Sequence, residues 1–239
     1  MLKFSRDRKS YIKWLFEAKK RFNLKILNFC ITSNHIHLLL WDSGKSDIPS
    51  AIQLIASRVA QQYNRRKDRK GAFWEDRYHA TAIDSGEYLL RCMLYIDLNM
   101  VRCGKVAHPK QWRGSSFQEL LTKKSRYQLI DHKAILELLD FTSFYEFKIA
   151  YEEIILEQIK QRRLNNDKTW TESIAVGSKI FIESFKNKLG ASAKKRKIDK
   201  TEKSFFLAEE SKSYNGIFEQ KIEVLSGENR HFWESIPLL

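Results

Sequence analysis

At 239 residues the chain can bury a substantial core, and 43% hydrophobic with 30% charged residues excludes a disordered or fibrous chain. The 43 Lys+Arg set against 29 Asp+Glu leave a formal +14, which favours polyanionic partners: nucleic acid first, an anionic membrane surface second. No apolar run reaches the roughly 20 residues of a membrane span and the first residues lack a signal-peptide core, so the expectation is a cytoplasmic protein with no membrane partner.

In chain order, Tyr11, Trp14, Leu15, Ala18 and Phe22 fall at helical spacing with Lys and Arg between them, which predicts a basic amphipathic helix from Ser10 to Phe22. The stretch "LKILNFCITSNHIHLLLW" then offers two apolar runs, residues 24–31 and 35–41, separated by the turn-forming "TSN"; it predicts an antiparallel hairpin central to a sheet. Ile48, Ile52, Ile55, Val59 and Tyr63 mark a second helix, started by Asp47 and Pro49 and running into the cationic "NRRKDRK". Residues 77–83, "RYHATAI", predict a further strand, and "GEYLLRCMLYIDLNMVR" a helix closed near Gly104. Past about residue 125 the chain turns helical and charged. A boundary is placed there, giving a domain over 1–125 and a helical, basic region over 126–239. Cys30, Cys92 and Cys103 are odd in number and form no C-x-x-C pair, so they are expected as reduced, structural thiols.

The residues that carry chemistry sit in two of these elements. A strand points positions i and i+2 to one face, so His35 and His37 project together and could hold a divalent metal or clamp a phosphate. By itself an H-x-H is also what sheet composition produces by accident. Tyr95 and Asn99, four apart on a helix, share one face and could deliver a phenol and an amide oxygen to the same metal. Tyr88, seven residues before Tyr95, shares that face and is a rival nucleophile or a packing residue.

Four segments together resemble the IS200-like, REP-associated branch of the single-tyrosine HUH transposases over residues 10 to about 120: "SNHIHLLL", "GAFWEDRYHATAI", "YIDLNMVRCG" and "QWRGSSF", in the family's order. The resemblance implies that Tyr95 is the nucleophile of a 5′-phosphotyrosine link. It further implies that His35 and His37 are metal ligands, with Asn99 at the position of a third, and that the ion is Mg²⁺ or Mn²⁺. The function implied is a transposase that cleaves and rejoins single-stranded or hairpin DNA. The fold implied is α+β, a ferredoxin-like antiparallel sheet with helices on one face. Two departures accompany it. Met100 stands where the family usually has Pro, and the chain starts at the first helix where the family generally has a strand ahead of it. The expectation is a sheet lacking its first strand, with an unpaired edge unless another chain or the C-terminal region covers it.

Arg58, Arg65, Arg66 and Lys67, followed by Arg69, Lys70, Trp74 and Arg77, form a basic cluster with aromatics, suited to tracking a backbone and stacking on unpaired bases. A solvated charged face is the plainer reading of any one of them. "KKRKIDK", residues 194–200, reads as a linker before a second contact. Two rival functions remain: a catalytically inactive DNA- or RNA-binding regulator with the same fold, and a metallohydrolase that needs no covalent step. The sequence leaves monomer and homodimer open.

Overall fold

Helix α1 (Ser5–Phe22) starts one turn before its apolar spacing and buries Asp7, Tyr11, Leu15 and Ala18 along one stripe. It ends at Asn23, which takes the left-handed conformation that Asn tolerates (φ +53°), while Lys19, Lys20 and Arg21 occupy its last turn and complement the helix dipole. These observations come from a computed structural model that describes residues 2–42, 44, 47–75, 78–123, 126–161, 167–193, 196–201, 204–208 and 237–238. Arg77 lies outside the described residues, as do Lys194 and Lys195 of the basic run.

The two apolar runs form the expected hairpin, β1 (Lys25–Ile31) against β2 (Ile36–Trp41), with Cys30 opposite His37 and Phe29 opposite Leu38. Leu38, Leu39 and Leu40 are all fully buried. Since neighbouring positions point to opposite faces, both faces of the hairpin are covered. Helix α2 (Ile48–Arg66) is capped by Asp47, whose carboxylate accepts from Ser50 N at 3.0 Å, and packs against α1. The strand expected over 77–83 is confined to β3 (Thr81–Ile83). The helix expected after it is divided at Leu98 into α3 (Glu87–Asp97) and α4 (Asn99–Arg102), and turns off at Gly104, where φ is +65°.

Beyond them come α5 (Phe117–Leu120), α6 (His132–Leu138), α7 (Phe144–Lys160), α8 (Thr169–Glu172) and α9 (Lys179–Leu189). The region after residue 125 also supplies strands: β4 (Ser173–Gly177), β5 (Ile198–Lys200), β6 (Phe205–Ala208) and β7 (Pro237–Leu238). All strands among the described residues join one seven-stranded sheet in the order β1-β2-β7-β3-β4-β6-β5. The fold is α+β, and the sheet is mixed: β4 runs parallel to β3, and β7 lies parallel to both β2 and β3. On the side of β2 away from β1, Leu40 pairs with Leu238 of the C-terminal region. Phe147, Tyr151 and Ile155 of α7 belong to the same core cluster as Leu15, Leu39 and Met93, so chain on either side of residue 125 fills one core.

The other edge, along β1, is covered by the "QWRGSSF" segment. Ile31 N donates to Gly114 O at 2.8 Å, Ser116 N to Phe29 O at 3.0 Å, and the Trp112 indole to Ile31 O at 3.0 Å. Gly114 is required there, because a Cβ would stand 2.6 Å from Ile31 O. Ser116, 1% exposed, accepts from Phe29 N at 2.9 Å and donates to Asn28 Oδ1. Cys30 and Cys92 are buried free thiols, and Cys103 is exposed. Among the described residues no helix is long and apolar enough to cross a membrane.

Replacing Ser116 by Ala strands the Phe29 N–H and the Asn28 carbonyl in a buried setting, so Ser116→Ala should lose about 1–3 kcal/mol in a urea unfolding titration. A variant as stable as the parent would mean that this edge does not hold β1.

Candidate active site

The turn before β2 fixes the first histidine. Thr32 N donates to His35 O at 2.8 Å, and Thr32 Oγ1 accepts from His35 N, also at 2.8 Å, so one threonine grips both backbone groups of His35. Two residues on, His37 is only 5% exposed. The two imidazoles lie parallel, 6.5 Å between centroids with an 8° interplanar angle, as the shared strand face required.

Helix α3 crosses that face. The Tyr95 ring meets His37 edge-on, with centroids 6.0 Å apart, and one turn later Asn99 Nδ2 lies 3.1 Å from His37 Nε2. All four residues of the proposed constellation therefore converge. Tyr88 does not join them; its ring lies 5.9 Å from the Arg91 guanidinium.

Arg102 completes the group and was not foreseen. Its guanidinium carbon stands 4.1 Å from the Tyr95 ring centroid, and its two terminal nitrogens each donate to Tyr95 O at 3.2 Å. The reason is local: with the helix divided at Leu98, the Tyr95 carbonyl sits at the break, where a side-chain donor can take it. The signal was in the sequence, because Arg102 is seven residues beyond Tyr95 and so two turns along the same face.

Burial pushes His37 down to about 3, helped by the neighbouring His35 and the Arg102 cation, so its imidazole is neutral at working pH. A neutral ring with a free nitrogen lone pair is the form that ligates metal. Among the described residues no group of three or more His, Cys, Asp or Glu is gathered as for a metal ion. A third donor here has to be an amide, and Asn99 is the one in place. Two imidazoles and one amide oxygen make an uncharged donor set that fits a divalent ion able to take both nitrogen and oxygen. The residues present are compatible with such an ion once the Asn99 amide turns its oxygen inward.

Residues 3–99 match the model of the family described as "Transposase IS200 like". Over that stretch the chain is similar to the IS200-like transposases. The stretch includes His35, His37, Tyr95 and, as its last residue, Asn99. Comparison with curated proteins and with solved structures found no match.

The basic cluster lies at the far end of α2, against the start of α1. Arg66 pairs with the buried Asp7 and stacks on Tyr63, with 5.1 Å to the ring centroid. Arg58 is exposed and lies 5.4 Å from the Trp14 ring, Arg65 is exposed, and Lys67 stands 5.7 Å from the Phe4 ring. Trp74 is half-buried: its indole donates to Ala56 O at 2.8 Å and its ring meets Phe73 edge-on at 4.4 Å, which fastens the following loop onto α2.

Two residues beyond Tyr95, Asp97 is 2% exposed and accepts from the Tyr151 hydroxyl at 2.6 Å, linking α3 to α7. Burial pushes its carboxyl up to about 7, and hydrogen bonds from Tyr151 and Asn28 offset that only in part. A carboxyl raised on folding binds its proton more tightly in the native state, so stability falls as pH rises from about 4 to about 7 and is level above. Asp97→Asn keeps the shape and the acceptor for Tyr151 but cannot ionise. The melting temperature of Asp97→Asn minus that of the parent should therefore grow across pH 4 to 7 and then plateau. A difference that is flat with pH would mean that Asp97 is not held protonated.

Proposed function

We propose that the chain cleaves and rejoins single-stranded or hairpin DNA through a 5′-phosphotyrosine intermediate on Tyr95. The observation that carries this reading is the meeting of Tyr95 with His37 at 6.0 Å and of Asn99 with His37 at 3.1 Å, residues from two separate sequence segments gathered at one point. The Tyr95 hydroxyl gives up its proton to solvent as its oxygen attacks the scissile phosphorus; the new O–P bond forms as the P–O3′ bond breaks, the 3′ oxygen leaves and takes up a proton from solvent, and the 5′ phosphate stays on the protein. Attack by a 3′ hydroxyl reverses the step and rejoins the strand.

His35, His37 and Asn99 would hold the ion, Mg²⁺ or Mn²⁺, of which Mn²⁺ better matches two nitrogen donors. Such an ion supplies charge that polarises the phosphate and lowers the demand on a phenol whose ordinary pKa is about 10. Arg102 holds the ring and backbone of Tyr95 in register with the histidines. The basic residues of α2 and the exposed Phe4 ring favour unpaired DNA, whose bases offer faces for stacking.

A second reading, a DNA- or RNA-binding regulator that does not cut, is favoured by one observation: Tyr95 is only 9% exposed and lies beneath Arg102. An adduct assay separates the two. With a 3′-labelled single-stranded hairpin and Mn²⁺, the parent chain should retain label after denaturation. Tyr95→Phe should bind the hairpin as the parent does and retain none, while Tyr88→Phe retains it. Label held by Tyr95→Phe and lost from Tyr88→Phe would move the nucleophile two turns back. Binding without label in the parent would favour the regulator.

His35→Ala and His37→Ala should abolish cleavage yet leave hairpin affinity unchanged, because these rings serve the scissile phosphate and the α2 cations serve binding. A double variant that still cuts would remove the histidines from the chemistry.

A further inference from the structure

Between the first turn of α1 and the last turn of α2 lies a cavity of about 440 Å³, within the roughly 300–1,000 Å³ range of small-ligand sites. Three guanidinium side chains line it, those of Arg6, Arg65 and Arg66. The carboxylate among its lining residues, that of Asp7, is buried and pairs with Arg66 through Oδ1, while its Oδ2 has no hydrogen-bond partner among the described residues. Arg6 and Arg65 are exposed and have no carboxylate partner among the described residues. The cavity therefore carries two uncompensated positive charges.

Three further features point the same way. Helix α1 is 18 residues long, its N-cap, Phe4, offers no side-chain hydrogen bond, and Arg6 and Asp7 of its first turn line the cavity, so the positive end of the helix dipole lies beside it. Ser10 donates to Gln62 Oε1 across the two helices, which fixes their spacing and leaves the Gln62 amide nitrogen as a further donor. At the same helix ends the Phe4 ring is 58% exposed, with Lys67 Nζ 5.7 Å from its centroid.

We propose that this cavity is a phosphate site for single-stranded nucleic acid, with Arg6 and Arg65 as its cationic arms and Phe4 as a stacking platform for the adjoining base. Arg66, held by Asp7, is the fixed wall against which the phosphate seats. Arg6 contributes although it lies far in sequence from the basic cluster of α2. The assignment deepens the reading of the chain as a single-strand DNA transposase and rests on it for the identity of the polymer.

Two measurements test it on the full chain. In thermal unfolding at matched ionic strength, sodium pyrophosphate should raise the melting temperature of the parent and of a Lys133→Ala, Lys188→Ala control, but not that of Arg6→Ala, Arg65→Ala. In fluorescence anisotropy with a labelled oligothymidylate, the arginine double variant should lose roughly 10- to 100-fold in affinity at low salt. Its slope of log affinity against log salt should be shallower by about 0.7, the value for one phosphate of a single strand. Phe4→Ala should lose roughly 5- to 150-fold with the slope unchanged. A pyrophosphate shift as large in the arginine variant as in the parent overturns the site. A lost shift with an unaltered oligothymidylate slope overturns its assignment to nucleic acid. The pyrophosphate measurement requires neither DNA nor cleavage, so its failure concerns the cavity alone, whereas a parent chain that forms no adduct concerns the phosphotyrosine reading alone.

Discussion

The register of β1 against β2 is the constraint on which the site depends. With Cys30 opposite His37, a slip of one residue would turn both imidazoles to the other face and leave Tyr95 and Asn99 facing leucines. Several contacts resist that slip. Thr32 grips His35 at the turn, Ser116 and Gly114 lock the outer edge of β1, and Asn28 Nδ2 reaches from β1 to Met93 O at 3.1 Å, fixing the strand to α3. The helix carrying Tyr95 is thus tied to the strand that sets the histidines, two residue pairs along the ladder from His37.

These ties explain why segments with no chemistry of their own accompany the site. The tryptophan and paired serines of "QWRGSSF" contact no histidine; they close an edge that would otherwise expose backbone donors and fix the strand opposite His37. Tyr151 likewise lies more than fifty residues beyond Tyr95, yet its hydroxyl holds Asp97 and so the α3 turn between Tyr95 and Asn99. The C-terminal half supplies part of the scaffold that orients the Tyr95 helix.

The hairpin, the second helix with its Asp47 cap and the helix carrying Tyr95 were legible because each rests on local signals: period two, period 3.6, a cap, a turn. The pairing of His35 with His37 followed from strand parity alone, and the convergence with Tyr95 needed the family resemblance as well. The strands after residue 125 were not legible. "SIAVG" and "FFLA" are short apolar runs that carry no period, and what makes them strands is pairing, of β4 with β3 and of β6 with β4. Arg6 escaped notice for a related reason: a single charge near the chain start acquires meaning only when α1 packs on α2.

Arg102 shows how the break at Leu98 serves the site. An unbroken helix would satisfy the Tyr95 carbonyl by its own ladder and leave Arg102 no acceptor there. The break makes that carbonyl available, the guanidinium takes it with two donors, and the same group covers the Tyr95 ring at 4.1 Å. Its charge also bears on His37, where together with burial and His35 it keeps the imidazole unprotonated. One cation thus both seats the Tyr95 ring and helps keep the neighbouring His37 imidazole neutral, which are the two conditions the proposed chemistry sets on these side chains. Met100, where a proline is usual in the family, fits this arrangement, because the division of the helix already occurs at Leu98 and is held from the other side by Arg102.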